Sequence, residues 1–457
     1  MGAAADQVLW QDAGMIERDE VFRIKTHRQP GTLSRALARI GEHGAHIGEI
    51  ETLAIGREYN IRDVTVIAPG DDAIEEIRRA LEAEPGVELV EQSVDKVFAV
   101  HEGGKIEVRP TVEIRNLQDV REVYTPGVAR VSRAIADDPS LASTYTWKGR
   151  TVAVVSNGTR VLGLGDIGPR AALPVMEGKA LFYGMLVDLN AVPIVVDAAD
   201  ADEMVDVVRR IAPGFGGIHL EDISTPAAYE IEDRLVADLD VPVMHDDQHG
   251  TAVVVLAAVL SAARIVDRPL EDLVFGQIGL GAAGSAIARL ARSFPFASVL
   301  AFDPGEAAVE HLRSFTEVDD VVLEASSDPD FFDSVVERAD VLVLSTGRPG
   351  LLDPARVRPG QIIAAISNPI PEIEIEAAEA AGAAIAADGS IVNNVLAYPG
   401  LFRGALDAGA GAIDLPMRRA AARALADLAD EDRLLPDALD RSVHAEVARR
   451  VAEAAGS

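Results

Sequence analysis

Between Leu273 and Phe294 the sequence runs LVFGQIGLGAAGSAIARLARSF: an apolar stretch, a glycine-spaced turn and a helix-like segment in direct succession. No other segment constrains the fold as much. The spacing Gly279-x-Gly281-x-x-Gly284 fits a strand that turns sharply into a helix beneath a pyrophosphate. Gly279 permits the turn, Gly281 lets backbone approach the phosphates, and Gly284 lets helix and strand pack closely. Ala282 and Ala283 complete the candidate loop, where the helix N-terminus attracts an anion. SVLAFDPG follows and places Asp303 at the end of the next strand. A carboxylate there can hold ribose hydroxyls and repels a 2′-phosphate, so NAD is expected in preference to NADP.

The surrounding chain extends the pattern. Over 270–400, LVFGQIGLG, SVLAFD, VDDVVLE, DVLVLST and QIIAAIS read as buried strands of an α/β sheet. Residues 111–250 repeat the alternation with TVAVVS, AVPIVVD and DVPVM, and HGTAVVVLAAVLSAARIV reads as a long buried helix starting near His249. The alanine-rich tail beyond about residue 410 reads as helical. Residues 20–100 differ. EVFRIKTH, PGTLSRALARIGEHG, HIGEIETLAI, EYNIRDVTVIA, DAIEEIRRALEAEPG and VELVEQSVDKVFAV give the order β-α-β-β-α-β of a ferredoxin-like α+β unit. HEGGKIEVRP at 101–110 reads as a linker or a leading strand. The expected division is 1–105, 106–250 and 251–457, the last a Rossmann-type domain with C-terminal helices.

Composition excludes several chemistries. Cysteine is absent, which removes disulfides, thiolate metal sites and cysteine nucleophiles. A formal charge of −32 argues against a nucleic-acid backbone as partner. Lysine is scarce (Lys25, Lys96, Lys105, Lys148 and Lys179), and with 74 acidic residues this suits a salt-rich cytoplasm, although a GC-rich genome also depletes lysine. The longest uncharged apolar run, TAVVVLAAVLSAA at 251–263, is too short to span a bilayer. MGAAADQVLW lacks the pattern of a secretion signal, and Asp6 stands where a myristoylation motif carries Ser or Thr. A cytoplasmic chain that partners neither nucleic acid nor membrane is expected.

Two segments raise the question of a metal, GGIHLEDIS (216–224) and VPVMHDDQHGTA (241–252). Adjacent acidic pairs mean little alone, since roughly a dozen arise by chance at this composition. Their settings say more. Glu221-Asp222 and Asp246-Asp247 each follow an apolar strand-like run, and ligands gather beyond the carboxyl ends of strands in open α/β sheets. His245 and His249 are spaced as in a zinc-binding HExxH helix. However, an aspartate follows His245, Pro242 suggests a strand end, and Gly250 argues against a regular helix through both histidines. Oxygen-ligated Mg²⁺ or Mn²⁺ matches the carboxylates better than zinc.

VYTPGVA (123–129), NGTRVLGLGDIG (157–168), PVMEGKALFYG (174–184), HLEDI (219–223), HDDQHGTA (245–252), IGLGAAG (278–284), ISNPIPE (366–372) and NNVLAYPGLFRGAL (393–406) stand in one order. Over about 111–430 the sequence thereby resembles the malic enzymes, and HRQPGTLSRAL (27–37) resembles the opening of an ACT regulatory domain. The resemblance implies an α/β substrate and metal domain before the NAD domain, with Glu221, Asp222 and Asp247 as metal ligands. It implies Lys179 as general base, Asp246 beside it, Tyr124 as general acid, and Asn368 and Asn394 as substrate contacts, with Asn368 also near cofactor. Arg160 matches a substrate-binding arginine. The implied reaction is NAD-linked oxidative decarboxylation of malate to pyruvate in a homodimer or homotetramer, with a small-molecule effector at the ACT-like unit. Lys179 must then lose its proton, and burial beside a cation is expected to depress its pKa. Two alternatives are malate or oxaloacetate decarboxylation without net NADH, and an amino-acid sensor carrying a decayed dehydrogenase.

Overall fold

The computed structural model describes residues 18–90, 94–161, 163–315, 321–368 and 370–456; MGAAADQVLW, Asp6 included, lies outside them. The chain divides into two compact units, Met1–Lys105 and Ile106–Ser457.

In the first unit, strands β1 (Arg18–His27), β2 (His46–Ile55), β3 (Tyr59–Ala68) and β4 (Val87–Leu89) pair antiparallel in the order β2-β3-β1-β4. Helices α1 (Thr32–Glu42) and α2 (Asp71–Ala83) connect them, giving the split β-α-β order of ferredoxin-like units. Alternate residues Phe22, Ile24, Val64 and Val66 share one core with Ala36, Ile40, Ile74 and Ile77 of the helices. Period 2 on the strands and period 3.6 on the helices are thus satisfied by the same core. A short strand β5 (Val94–Asp95) also pairs with β1, and Lys96–His101 then forms helix α3. Asp95 starts that helix by accepting the Phe98 N–H, so KVFAVH turns helical where the run VELVEQSVDKVFAV suggested more strand.

Residues 103–110, across the boundary between the units, carry no strand. Helices α4 (Leu117–Val123), α5 (Val128–Asp137) and α6 (Leu141–Tyr145) come next, and none of them buries a residue. Strands β6 (Thr151–Ser156), β7 (Asn190–Val195), β8 (Gly217–Leu220) and β9 (Val243–His245) form a parallel sheet ordered β7-β6-β8-β9. Helices α7 (Pro169–Val187), α8 (Ala201–Ile211) and α9 (Ala227–Asp238) connect these strands, and α10 (Asp246–Ile265) leads out of β9.

The second sheet contains β10 (Val274–Ile278), β11 (Ser298–Phe302), β12 (Leu323–Ser326), β13 (Val341–Leu344), β14 (Ile362–Ala365) and β15 (Ile385–Asp388). All pairs are parallel and the order is β12-β11-β10-β13-β14-β15, the doubly wound 3-2-1-4-5-6 arrangement. Its connections include α11 (Ala282–Ala291), α12 (Glu306–Ser314), α13 (Pro329–Arg338) and α14 (Ile375–Ala380). The chain closes with α15 (Tyr398–Ala408), α16 (Leu415–Leu428) and α17 (Arg441–Ala454).

Both sheets are buried on two faces. Val152 and Val154 of β6 enter one core while Ala153 and Val155 enter another, and β13 divides Val341 and Val343 from Leu342 and Leu344 in the same way. The core shared by the two sheets runs through α10, with Val253, Leu256 and Val259 packed in it. Among the described residues α10 is the helix long and apolar enough to cross a membrane, yet 78% of its apolar window is buried in the protein's own core.

Candidate active site

Register brings the two acidic segments together. β8 and β9 are parallel neighbours with Leu220 opposite His245, so Glu221-Asp222 and Asp246-Asp247 leave adjacent strand ends side by side. The helix α10 starts at Asp246, with His245 the last residue of β9, so no regular helix runs through both histidines, as expected, although α10 does include His249 and Gly250. Both aspartates occupy its first turn, where carboxylates favour the helix N-terminus. Glu221, Asp222 and Asp247 each offer an oxygen within 4.8 Å of the others. Asp222 holds a left-handed φ of 55°, and its N–H donates to Asp247 Oδ2 at 3.2 Å. Such a conformation costs about 1–3 kcal/mol for a non-glycine residue and concentrates at functional sites.

Lys179 of α7 reaches into the same place. Its Nζ donates to Asp246 Oδ2 at 2.6 Å, stands 3.0 Å from Glu221 Oε1 and lies 4.9 Å over the Tyr398 ring. Burial disfavours the ammonium, but the facing Asp246 and Glu221 carboxylates outweigh it and hold the Lys179 pKa well above its ordinary value. Burial alone does not depress it here, because two carboxylates at contact distance stabilise the buried ammonium more than desolvation opposes it. Burial pushes the Glu221 carboxyl up to about 8 despite the pull of Lys179, with Asp247 and Asp246 adding repulsion. Asp246 Oδ1 is buried without a hydrogen-bond partner among the described residues. Three converging carboxylates, one of them driven toward its protonated form, are a donor set that a hard divalent cation would satisfy.

Gly250 explains how Asp246 fits. A Cβ at position 250 would meet Asp246 Oδ1 at 1.9 Å, so only glycine lets the carboxylate fold back along α10 toward Lys179. Gly250→Ala is expected to lower kcat by about 10²-fold by displacing that carboxylate. Alanine favours a helix over glycine, so melting curves beside the kinetics separate displacement from unfolding.

The remaining candidates sit as follows. Asn394 donates from Nδ2 to the Asp246 carbonyl at 3.3 Å and accepts from Thr251 Oγ1 at 3.2 Å, tying the segment after β15 to the start of α10. Asn368, beyond β14, donates to the Gly389 carbonyl at 3.5 Å. Arg160 donates its backbone N–H to the Asp222 carbonyl at 3.1 Å, and its charge acts on Tyr229 of α9, whose hydroxyl burial pushes up to about 12. Tyr124 caps the C-terminus of α4 and is 69% exposed, outside the buried cluster of Lys179, Asp246 and Glu221.

At the switch point between β10 and β13, Gly279 has φ 89° and a Cβ there would strike the Ser345 carbonyl at 2.5 Å. At Gly284 a Cβ would meet the Gly279 carbonyl oxygen at 1.9 Å, while Gly281 faces open space. Ala282 and Ala283 begin α11. Asp303 accepts the Leu280 N–H on Oδ2 and the Gly305 N–H on Oδ1, both at 2.8 Å, so its negative charge stands beside the glycine turn.

Four side chains absent from the expected set surround the cluster. Tyr183 lies one helical turn beyond Lys179 on α7, and Tyr398 donates its hydroxyl to the Lys179 carbonyl at 3.3 Å. His219 stands two residues before Glu221, on the same side of the strand path, a period that made it findable from sequence. Glu232 of α9 accepts the His245 N–H at 2.7 Å, Gln248 Nε2 at 2.8 Å and His249 Nε2 at 3.1 Å. It anchors the N-terminus of α10 from outside. No sequence spacing pointed to it. Burial holds His249 down at about 4, so its Nδ1 accepts from Arg418 at 2.5 Å while Nε2 donates to Glu232. His245 and His249 do not converge on shared ligand atoms among the described residues, which removes the support for zinc.

A family model described as malic enzyme, N-terminal domain, matches residues 103–236. The chain is 45% identical over 433 residues to NAD-dependent malic enzyme 1 of Bacillus subtilis, covering 94% of this chain and 96% of that protein. It is 40% identical over 450 residues to an NAD-dependent malic enzyme of Geobacillus stearothermophilus, covering 95% and 94%. Among solved structures, an NAD-dependent malic enzyme from Thermotoga maritima superposes with TM-score 0.70 at 35% identity, covering 79% of this chain and 99% of that one. The malic enzyme from Pyrococcus horikoshii gives TM-score 0.69 at 38% identity over 77% and 86%.

Proposed function

The chain belongs to the malic enzyme family, and on that premise we propose that it oxidises (S)-malate with NAD and a divalent cation, Mg²⁺ or Mn²⁺, releasing pyruvate and CO2. The observation that carries the reading is Lys179 Nζ at 2.6 Å from Asp246, beside three converging carboxylates at adjacent strand ends. Glu221, Asp222 and Asp247 would hold the cation, and Gly279, Gly281, Ala282, Ala283, Gly284, Asp303 and Asn368 would hold the cofactor. Residues 106–250 would thereby supply most of the substrate and metal side, and 251–457 the nucleotide side. When bound, the cation would supply Lewis-acid stabilisation for the C2 oxygen and NAD a hydride acceptor for C2.

The chain's own groups handle the protons and the orientation. Lys179 Nζ takes the proton of the C2 hydroxyl, with Asp246 Oδ2 holding the amine in place. A cation held by Glu221 would offset the carboxylate field that keeps Lys179 protonated and so make the neutral amine accessible. Asn394, Asn368 and Arg160 orient the substrate carboxylates. After C4 leaves as CO2, Tyr124 delivers a proton to C3.

Tyr124 also bears on assembly. Val112, Ile114, Leu117, Val123 and Tyr124 form part of an exposed apolar surface along a segment whose three helices bury nothing. Surfaces of this kind are covered in the assembled state. The proposed cover is a second copy of the chain, in a homodimer or homotetramer that carries Tyr124 to its neighbour's Lys179. Mixing Tyr124→Phe with Lys179→Ala then leaves one intact site per mixed pair, and about a quarter of wild-type activity should return. No recovery in verified mixed dimers rules out the shared site.

The ACT-like unit is proposed to take a small-molecule effector near Pro30-Gly31, where Gly31 adopts φ 86° ahead of α1. A cytoplasmic location is the matching proposal. Incubation with L-malate, Mn²⁺ and NAD tests the main reading: NADH and pyruvate should appear in equal amounts. Pyruvate without NADH overturns it in favour of simple decarboxylation, and neither product in favour of a sensor.

A further inference from the structure

We propose that His219, locked in one tautomer by Tyr183, is a positioning residue that fixes the Glu221 carboxylate for the cation. The inference rests on the reading of Glu221 as a ligand. His219 lies in β8 with no solvent exposure, stacked at 17° on Phe402 and edge-on to Tyr398 and Tyr183. Its Nε2 lies 2.6 Å from Glu221 Oε2, and its Nδ1 lies 2.9 Å from the Tyr183 hydroxyl.

With Glu221 ionised, the state in which it would hold a cation, one assignment satisfies every atom. An ionised carboxylate can only accept, so Nε2 carries the proton and donates to Glu221. Nδ1 is then an acceptor, and the Tyr183 hydroxyl donates to it. The Phe402, Tyr398 and Tyr183 rings packed around the imidazole hold its plane and keep each nitrogen on its own partner. The carboxylate is thereby gripped from both sides, Oε2 by His219 and Oε1 by Lys179 at 3.0 Å. Without the imidazole the carboxylate is free to turn both oxygens onto Lys179, which removes a ligand from the cation and ties up the base. Groups that orient a ligand in this way typically change metal affinity about 10–100-fold when lost.

A packed, satisfied core histidine would have the same burial, so the test must separate support of Glu221 from support of the core. The amide nitrogen of glutamine falls where Nε2 lies and can still donate to Glu221. That of asparagine falls near Nδ1 and cannot reach it. Mn²⁺ binding to the full chain, without malate or NAD, is measured by the loss of the free-ion electron paramagnetic resonance signal. His219→Gln should bind within about threefold of wild type, and His219→Asn about 10–100-fold more weakly. An Asn variant that binds as tightly as wild type overturns the proposal, as does a Gln variant that loses tenfold. Should Asn fail to fold, the Gln result decides alone. Glu221→Ala distinguishes the underlying reading: unchanged Mn²⁺ affinity there removes Glu221 as a ligand and the proposal with it.

Discussion

Lys179→Ala is expected to lower kcat by about 10³-fold or more, toward the upper end of what a positioned general base contributes. The reason is geometric. Nζ lies 2.6 Å from Asp246 and 3.0 Å from Glu221, and its side chain is 16% exposed. Water entering the space left by the side chain lacks both its basicity and its tether to Asp246. Cation binding should respond in the opposite sense. Removing a positive charge beside Glu221 strengthens the local negative field, so Mn²⁺ should bind as tightly as in wild type or more tightly. NAD binding, proposed for the separate Gly279–Gly284 turn, should persist. A variant with near-normal kcat would end the assignment. A variant that loses NAD or Mn²⁺ binding along with turnover would point to collapse of the cluster instead.

The second large effect is expected at Asp247. Its carboxylate is the most open of the three converging ones, with 38% side-chain exposure, and it also accepts the Asp222 N–H. Asp247→Ala removes both a negative charge and that acceptor, and the Mn²⁺ concentration for half-activation should rise by about 10²-fold. Asp247→Asn keeps an acceptor for the Asp222 backbone while removing the charge. If ligation is the role, the two variants should lose comparable affinity. If the role is only to hold Asp222 in its left-handed conformation, Asn should behave like wild type. An unchanged Mn²⁺ response in both variants excludes Asp247 from the ligand set.

Much of the local architecture was legible because short-range rules govern it. The glycine spacing from Gly279 to Gly284 has one economical use, a strand turning into a helix, and the carbonyls of Ser345 and Gly279 leave no room for a Cβ at two of those positions. The alternation within TVAVVS and DVLVLST gave buried strands, and the structure divides their residues between two cores in period 2. Gly250 marks a limit of such rules. Tertiary packing of α10 overrides its low helix propensity, and what its missing Cβ admits, the Asp246 carboxylate, shows only in three dimensions. His219 and Tyr183 were within reach of pattern reasoning, two residues from Glu221 and four from Lys179. Glu232 was not. Its three hydrogen bonds to the start of α10 cross between elements, and nothing in the residues around it signals them.

The sequence by itself determined which residue types stand at which strand ends, because period, turn chemistry and composition act over a few residues along the chain. Only the tertiary structure decided which ends are neighbours. The pairing of β8 with β9 sets Glu221 beside Asp246, the packing of α7 brings Lys179 onto both, and the resulting carboxylate field raises the Lys179 pKa where burial alone would lower it. Electrostatic interactions depend on distance through space and on the medium between charges, and neither quantity is written in the spacing of residues along a chain.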